Sequence, residues 1–406
     1  MERPRLIPSE GASPRSRSKS PCAVEKSASS GGFPLNITQP AINVFLASKQ
    51  DDNGQINGLT YWQVANGYTA VALHDTWSNT TSNVDVLDGL ISTVEANQPD
   101  CINEMNDDSM WWSICLLEMY ELTQNAQHLN VAETIWNHVQ RYVVSPGRYN
   151  INGVDMAGVV MWTNKTNETQ VNTIAAGLFS ELSARLACQT ESGPTSEGLL
   201  EYAEYTLKWI LRCRFVQDEY LVLDHIDLAT GQSFDWSFTY NTGQAIGASI
   251  ATYNAMKLNG TDQTELQYYL NLATNMAVNA MNRTSWIDSD GTLTERDAYP
   301  GTGSDPTPAY QDCDAVGFKA ILLRNLTRLY ILLKNQDLNT GLQAQIVTFV
   351  QWQFHSLLTR NCNGQDQYGP WWAGPVDLPT SHSQLAALDV MAAIHAVGTQ
   401  GQGYGQ

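Results

Sequence analysis

Basic residues are scarce in this sequence. Of its 406 residues, 22 are Lys or Arg and 41 are Asp or Glu, which gives a formal net charge of −19. A surface with this charge repels phosphate backbones and anionic lipid headgroups. We therefore expect neither nucleic acid nor a charged membrane surface as a partner, and the composition favours a neutral substrate.

Long apolar runs are also absent. No stretch of roughly 18 apolar residues occurs, so the sequence predicts no membrane-spanning helix. The N-terminus lacks the apolar core of a signal peptide, whereas Asn-x-Ser/Thr sequons favour passage through the secretory route. We expect a monomeric glycoprotein that is secreted, extracellular or held in the cell wall. The sequons begin at Asn36, Asn79, Asn164, Asn167, Asn259, Asn282 and Asn325.

Motifs for metals, nucleotides and serine hydrolases are missing as well. There is no CxxC pair, and His74, His225 and His382 do not have metal-ligand spacing. The chain has no phosphate-binding loop, no dinucleotide fingerprint and no nucleophile elbow. We therefore expect neither a cofactor nor a bound metal.

The seven cysteines are spread along the chain. Cys115, Cys188 and Cys213 fall within apolar helical runs, where buried thiols are expected. Cys313 lies just before the helical run 315–333, and Cys362 lies just after the next run, 342–358. These two cysteines are the predicted disulfide. An odd number of cysteines leaves at least one thiol free.

Helical periodicity dominates what is present. Residues 1–34 are rich in Ser, Pro and Arg and predict a disordered tail. Residues 35–400 show no sharp change in composition and predict one domain. Apolar residues recur with helical spacing in residues 58–76, 84–94, 109–122, 131–143, 169–187, 196–212, 240–257, 264–280, 315–333, 342–358 and 383–396.

These helical runs form pairs that are joined alternately by short turns and by long loops. Short β-prone pieces interrupt them at 146–162 and 220–227, and residues 286–311 read as a long loop. The pattern predicts an all-α fold, an (α/α)6 barrel in which an inner ring of helices lies within an outer ring. Functional residues would then collect among the long loops on one face.

The most informative stretch is Asn106-Asp107-Asp108-Ser109-Met110-Trp111-Trp112. Paired carboxylates supply the nucleophile and the acid/base of glycosidases, and flat indoles offer sugars an apolar face. The alternative interpretation is a helix cap followed by core tryptophans, because Asn, Asp and Ser all cap helices well.

This stretch resembles the consecutive-aspartate signature of glycoside hydrolase family 76, which contains endo-α-1,6-mannanases and related fungal cell-wall enzymes. Further blocks are similar to the family's pattern and follow in the family's order. In this chain Thr242 stands where Gln is usual, and Ala320 where Gly is usual. The blocks are Tyr61–Asn66, Gly158–Trp162, Asn172-Thr173 with Leu178, Trp236–Gly247, Gly317–Ala320 with Arg324-Asn325-Leu326, and Ser383–Leu388.

The resemblance implies a retaining double displacement on α-1,6-mannan, with Asp107 as nucleophile and Asp108 as general acid/base. Retention requires carboxyl groups about 5–5.5 Å apart, a distance that adjacent residues at a helix start can reach. Like charges at that distance should leave one carboxyl protonated. A transglycosylase with the same first step and a non-catalytic mannan-binding protein are the alternatives.

The blocks and the loops near them also suggest which residues bind the sugar. Either Asp224 or Asp227 could bind mannose hydroxyls, with turn capping as the alternative. Lys319 could pair with a site carboxylate or extend outward to solvent, and Trp371 could form a platform at the rim or pack in the core. The candidate substrate-binding residues are Tyr61, Trp62, Asn66, Asn106, Trp111, Trp112, Trp162, Asn172, Asp224, Asp227, Trp236, Tyr240, Asn241, Lys319 and Trp371.

Overall fold

The computed structural model describes residues 35–190, 193–295 and 314–398. These ranges are mainly helical. Their α-helices are α1 (Leu35–Leu46), α2 (Tyr61–Ser78), α3 (Val84–Asn97), α4 (Asn106–Thr123), α5 (Ala126–Val139), α6 (Thr173–Gln189), α7 (Pro194–Cys213), α8 (Thr239–Leu258), α9 (Gln263–Asn282), α10 (Ala315–Asn335), α11 (Thr340–Arg360) and α12 (Ser381–Val397).

The even-numbered helices form a closed inner ring. Each of α2, α4, α6, α8 and α10 packs against the next even-numbered helix, and α12 packs against α2. The odd-numbered helices pack outside them: α5 on α4, α7 on α6, α9 on α8, and α11 between α10 and α12. This arrangement is an (α/α)6 barrel, so the predicted all-α class and architecture are confirmed.

The two rings differ in sequence because they differ in surroundings. Inner helices are buried on nearly every side and contain many small residues; a Cβ on Gly243 of α8 would meet the Leu322 Cα of α10 at 2.6 Å. Outer helices bury a single stripe. In α9 the buried stripe includes Leu266, Leu270 and Ala273, at helical spacing.

Short strands decorate the end of the barrel where the inner helices begin. The pair β1 (Asn150–Ile151) and β2 (Val154–Asp155) is a hairpin, and β4 (Phe215–Val216) pairs with β5 (Leu221–Val222). A three-stranded sheet joins β3 (Gln170–Asn172), β6 (His225–Asp227) and β7 (Ser233–Phe234). Both predicted β-prone pieces are therefore confirmed. Pairing of β3 with β6 brings the start of α6 next to the segment that leads into α8.

Buried ion pairs join neighbouring and opposite helices of the inner ring. The Arg324 guanidinium makes two bonds to the Asp389 carboxylate, at 2.7 and 2.9 Å, and a third to the Asn66 side-chain oxygen at 2.8 Å. Nearer the end of the barrel where the inner helices finish, Arg185 and Arg328 both contact Glu118 and Glu181. Such pairs are tolerated in a core when every charge has hydrogen-bond partners.

The structure corrects two details of the helical prediction. The helix α1 was not predicted, because Pro40 interrupts its sequence; its first turns nevertheless pack on α12. The helix α4 begins at Asn106 rather than Ser109, with Met105 as its N-cap residue. Neither aspartate of the pair is therefore the cap, and both lie in the first helical turn.

The cysteine predictions were partly wrong. Cys362 carries a free thiol and lies in a turn opposite Tyr368, so the predicted Cys313–Cys362 disulfide is not formed; Cys313 itself lies outside the described residues. Cys188, predicted to be a free thiol, is disulfide-bonded. Cys115 is a buried free thiol, as predicted, and the free thiol of Cys213 is partly buried.

The structure bears on two sequence-based expectations, the absence of a membrane-spanning helix and the glycosylation of sequons. Among the described helices, none is long and apolar enough to cross a membrane. The sequon at Asn325 lies on an inner helix with its side chain 1% exposed, so this asparagine is not accessible in the folded protein. The predicted tail, residues 1–34, lies outside the described residues.

Candidate active site

The first turns of the inner helices meet at one end of the barrel. Trp62 of α2 places its ring centroid 6.3 Å from that of Trp111 on α4. The same indole lies 6.1 Å from the Phe318 ring on α10 and 6.4 Å from the His382 ring on α12. The helix starts therefore surround a common space, and the Asp pair opens one of these helices.

Asp107 is a buried carboxyl group with three hydrogen-bond donors. Its Oδ2 accepts from the Trp162 indole N–H at 2.9 Å and from the Asn172 amide at 3.5 Å. Its Oδ1 accepts from the backbone N–H of Asp108 at 3.0 Å. Burial raises the pKa of Asp107 first, and the neighbouring Asp108 adds to the rise. The three donors act in the opposite direction, because they stabilise the ionised form.

Asp108 has a different environment. Its Oδ2 accepts from the Asn103 side-chain amide at 2.9 Å. Burial is the main cause that raises the pKa of Asp108, and the negative charges of Asp314 and Glu104 raise it further. Asp314 is itself held in place by the Gln63 amide at 2.9 Å.

The two carboxyl groups thus share a site that disfavours a double negative charge. Burial raises the pKa of both, so the pair retains a proton under conditions where a free aspartate would have lost it. The donors converge on Asp107 and the extra carboxylates surround Asp108. Hydrogen bonding therefore favours the charge on Asp107, and the neighbouring carboxylates favour the proton on Asp108. Burial acts in the opposite direction, because it raises the pKa of Asp107 to about 8 and that of Asp108 to about 6.

The chain matches one family model over residues 36–401, that of glycosyl hydrolase family 76. The chain belongs to glycosyl hydrolase family 76. The match includes all of the blocks named above, and the resemblance found in the sequence is confirmed. None of the curated proteins compared matches the sequence.

Solved structures of family 76 proteins share the fold. The GH76A α-1,6-mannanase of Salegentibacter sp. HEL1_6 is 22% identical, with a TM-score of 0.72 over 89% of this chain and 99% of that one. A variant of that enzyme inactivated at two consecutive aspartates, in complex with α-1,6-mannotetrose, gives 0.73 at 21% identity over the same shares. Dfg5 from Chaetomium thermophilum, in complex with glucosamine, is 15% identical, with a TM-score of 0.67 over 89% and 88%.

A second polar cluster of the family 76 barrel surrounds Asp224. Its carboxylate accepts from the Asn241 amide at 2.8 Å and from the Tyr240 hydroxyl at 3.4 Å, and it contacts His225 Nδ1 at 2.8 Å. The Tyr240 ring stacks on Phe318 with centroids 3.9 Å apart. Asp224, Tyr240 and Asn241 are therefore brought together at the end of the barrel that holds the Asp pair.

Asp227 caps a turn, which was the alternative to sugar binding for Asp224 and Asp227. Its carboxylate accepts from the backbone N–H and hydroxyl of Thr230, at 2.8 and 2.9 Å, and from the Thr169 hydroxyl at 3.0 Å. These bonds cap the turn between β6 and β7. The carboxylate is occupied within its own loop and is not part of the Asp224 cluster.

The aromatic candidates divide by burial. The indoles of Trp62, Trp162, Trp236 and Trp371 are partly exposed. Trp111 and Trp112, both candidates for sugar binding, are 3% and 0% exposed, so each indole packs within the protein. Trp112 packs between the rings of Tyr61 and Tyr68, because α4 is an inner helix that neighbours α2.

Two of the predicted asparagines bind the protein itself. Asn66 accepts from Arg324 and belongs to the buried ion-pair network. The Asn106 amide donates to the Met161 carbonyl at 2.8 Å, which fixes the start of α4 to the loop that carries Trp162. Asn172 combines two roles, since its Oδ1 caps α6 at the Ala175 N–H while its amide faces Asp107.

Lys319 does not extend outward to solvent. Its side chain is 0% exposed, its ammonium donates to the Val316 carbonyl at 2.6 Å, and it lies over the rings of Trp371 and Trp372 at 5.6 and 5.1 Å. Its charge lowers the pKa of the buried Glu295 carboxyl, although burial raises that pKa to about 8 overall. Glu295 accepts from the Thr239 N–H at 2.8 Å and so fixes the start of α8.

Sequence reasoning missed several residues of this site. Asn103 and Asp314 act on Asp108, and Glu295 holds α8, yet each is distant in sequence from its partner or lies outside the helical runs. His382 is 2% exposed with no hydrogen-bond partner on either ring nitrogen in the described chain, and burial, with the charge of Lys319, lowers its pKa to about 3. Within the described residues no group of three or more His, Cys, Asp or Glu side chains could hold a metal.

Proposed function

We propose that this family 76 glycosidase is a mannan endo-1,6-α-mannosidase, which cleaves internal α-1,6-mannosidic bonds with retention of anomeric configuration. The observation that carries the proposal is the asymmetric pair: Asp107 buried with three donors, and Asp108 placed among other carboxylates. A retaining glycosidase requires one ionised and one protonated carboxyl group.

In the first step Asp107 attacks the anomeric carbon and forms a glycosyl ester. The bond to the leaving-group oxygen breaks, and Asp108 gives that oxygen its proton. Trp162 and Asn172 orient the Asp107 carboxylate and stabilise its ionised form before the attack. Both are held by the adjoining segments: Trp162 lies in the loop fixed by Asn106, and Asn172 caps α6.

In the second step the ionised Asp108 takes a proton from water, and the resulting hydroxide equivalent attacks the anomeric carbon. The ester bond breaks and Asp107 returns to its carboxylate form. Asp314 and Glu104 favour the reprotonation of Asp108, since their charges raise its pKa. The same residue therefore serves as acid and then as base.

Substrate recognition is assigned to the partly exposed aromatic rings and to the Asp224 cluster. Trp62, Trp236 and Trp371 offer faces for the apolar sides of mannose units. Asp224, Tyr240 and Asn241 offer charged and neutral hydrogen-bonding atoms for hydroxyl groups. The Salegentibacter enzyme, whose fold this chain shares, binds α-1,6-mannotriose and α-1,6-mannotetrose as inactive variants.

Digestion of linear and branched α-1,6-mannan tests the proposal. We expect the purified protein to release short manno-oligosaccharides from the linear polymer, and Asp107→Ala and Asp108→Ala each to abolish release. Asp85→Ala, at an exposed position on the outer helix α3, is the matched control and should retain full activity. Full activity in either site variant would exclude the assignment.

Rescue by azide distinguishes the nucleophile from the general acid/base. With an activated aryl α-mannoside, Asp108→Gly should be rescued by azide and give the α-mannosyl azide, because Asp107 still forms the ester. Asp107→Gly should give the β-mannosyl azide by direct attack. The reverse pattern would exchange the assigned roles.

Transglycosylation is the second candidate, supported by the fold shared with Dfg5, which was solved in complex with glucosamine. An acceptor sugar would replace water in the second step. Incubation of mannan fragments with an added oligosaccharide acceptor should give longer products if this reading is correct. Binding of mannan without turnover in either assay would instead support a non-catalytic mannan-binding protein, the remaining alternative.

A further inference from the structure

The barrel contains a second cavity at the end opposite the Asp pair. Its volume is about 570 Å³, and it is lined by the last turns of α2, α4, α6, α8 and α10. Along α4, Glu118 and Glu121 lie 11 and 14 residues beyond Asp107, a distance of roughly 17 to 21 Å at the rise of an α-helix. We call this space the far cavity.

The charges of the far cavity are already compensated. Three carboxylates, those of Glu118, Glu121 and Glu181, line it together with the guanidinium groups of Arg185 and Arg328 and the ammonium of Lys257. Arg185 contacts all three carboxylates, and Arg328 contacts Glu118 and Glu181. A cation would therefore have to break pairs that are already formed, and an anion would find only the exposed Lys257 ammonium, which donates to the Gln336 side chain at 2.8 Å.

Three neutral side chains of the lining have free hydrogen-bonding capacity. The side chains of Trp77, Gln189 and Asn254 line the cavity and make no hydrogen bond to any described residue. The available groups are thus an indole N–H and two amides.

Apolar surface completes the lining. Leu73, Ile250 and Ile331 form parts of the wall, and the Trp77 indole is partly exposed. Neutral hexoses present an apolar C–H face to such rings and hydroxyl groups to planar amides. The volume lies in the range of about 300 to 1,000 Å³ that is usual for small-molecule sites.

We propose that the far cavity is a second saccharide-binding site, which takes the end of a short neutral oligosaccharide against Trp77, Gln189 and Asn254. The site is separate from the Asp pair, because Glu118, the lining residue of α4 nearest in sequence to Asp107, lies roughly 17 Å farther along that helix. The proposal does not depend on hydrolysis at the other end of the barrel.

Calorimetric titration with α-1,6-mannotriose tests it, with the Asp107→Asn/Asp108→Asn protein as parent to prevent turnover. Ala251→Trp places an indole inside the far cavity, and Ala126→Trp places one on the exposed start of α5 as a control. We expect Ala251→Trp to bind one molecule fewer than the parent, and the control to match the parent. Equal stoichiometry in the parent and Ala251→Trp overturns the proposal.

A milder variant guards against misfolding of Ala251→Trp. Asn254→Leu keeps the side-chain volume and removes the amide, and it should weaken one of the binding events about three- to tenfold and leave any other unchanged. In protein labelled with 5-fluorotryptophan, the Trp77 resonance, identified by its loss in Trp77→Phe, should shift on titration. If that resonance does not move, the site is not in this cavity.

The outcomes also separate this proposal from the proposed function. If the Asp pair does not bind mannotriose, the parent shows one site and Ala251→Trp shows none, which supports the far cavity and contradicts the mannanase reading. If mannan is hydrolysed but Ala251→Trp does not change the stoichiometry, the mannanase reading is supported and the far-cavity proposal is contradicted.

Discussion

Replacing Trp162 with Phe tests the asymmetry of the Asp pair most directly. The substitution keeps an apolar ring of similar size and removes the N–H that donates to Asp107 Oδ2 at 2.9 Å. A hydrogen bond to a charged group contributes about 1.5 to 3 kcal/mol. If that bond supports the attacking carboxylate, kcat/KM should fall about 10- to 100-fold, since each factor of ten corresponds to about 1.4 kcal/mol.

The pH dependence of kcat/KM shows in which direction the pKa of Asp107 changes. The indole N–H stabilises ionised Asp107 and lowers its pKa, so its loss should raise that pKa by about one to two units. In a plot of kcat/KM against pH, the acidic limb, which reports the nucleophile, should move to higher pH. The basic limb, which reports Asp108, should stay in place.

The assay is release of reducing ends from linear α-1,6-mannan over a range of pH. Trp352→Phe is the matched control, because Trp352 lies on the outer helix α11 and its buried indole N–H has no hydrogen-bond partner among the described residues. An unchanged acidic limb in Trp162→Phe would refute the reasoning. A shift of the basic limb alone would mean that Asp107 is the acid.

Three further predictions concern other parts of the structure. Asn103→Ala removes the donor that favours ionised Asp108, so the pKa of Asp108 should rise and the basic limb of kcat/KM should move to higher pH. Arg324→Met leaves Asp389 buried without its partner and should lower the free energy of unfolding in urea by about 3 to 5 kcal/mol; Arg324→Met/Asp389→Leu should recover much of the loss. Burial raises the pKa of Glu295 to about 8 from an ordinary value near 4.5, so its contribution to stability is complete below pH 4.5 and is lost as pH rises through 8. Glu295→Gln should therefore flatten the decline in thermal stability over that interval, and an unchanged decline would contradict the assignment.

The sequence predicted the helices well because their signals are local. Outer helices such as α9 have one apolar stripe, and inner helices such as α8 show long runs of small and apolar residues. Pairing of the runs was enough to suggest two rings. The helix α1 was missed because local rules count Pro40 against a helix, whereas packing on α12 stabilises this one.

The partners of the site could not be predicted to the same extent. The adjacent acids identify Asp107 and Asp108, but Asp314 reaches the site only because the ring brings the start of α10, more than 200 residues later, to the same end of the barrel. The burial of Trp111 and Trp112 follows from α4 being an inner helix, and adjacent residues alone do not reveal this. The disulfide prediction failed for a similar reason: proximity in sequence order around the last helices says little about the distance between thiols.

Helix capping and catalysis are linked at Asp107 in a way that differs from the expected cap. Met105 is the N-cap residue and offers no side-chain acceptor, so the first turn of α4 is fixed from outside. The Asn106 N–H donates to the Trp162 carbonyl at 2.8 Å, and the Trp162 indole returns a bond to Asp107. The same two segments are therefore joined by backbone and by side chain. The Trp162 loop satisfies the Asn106 N–H, one of the N–H groups that have no partner within the helix. The same loop holds the indole donor on the carboxylate before any substrate arrives.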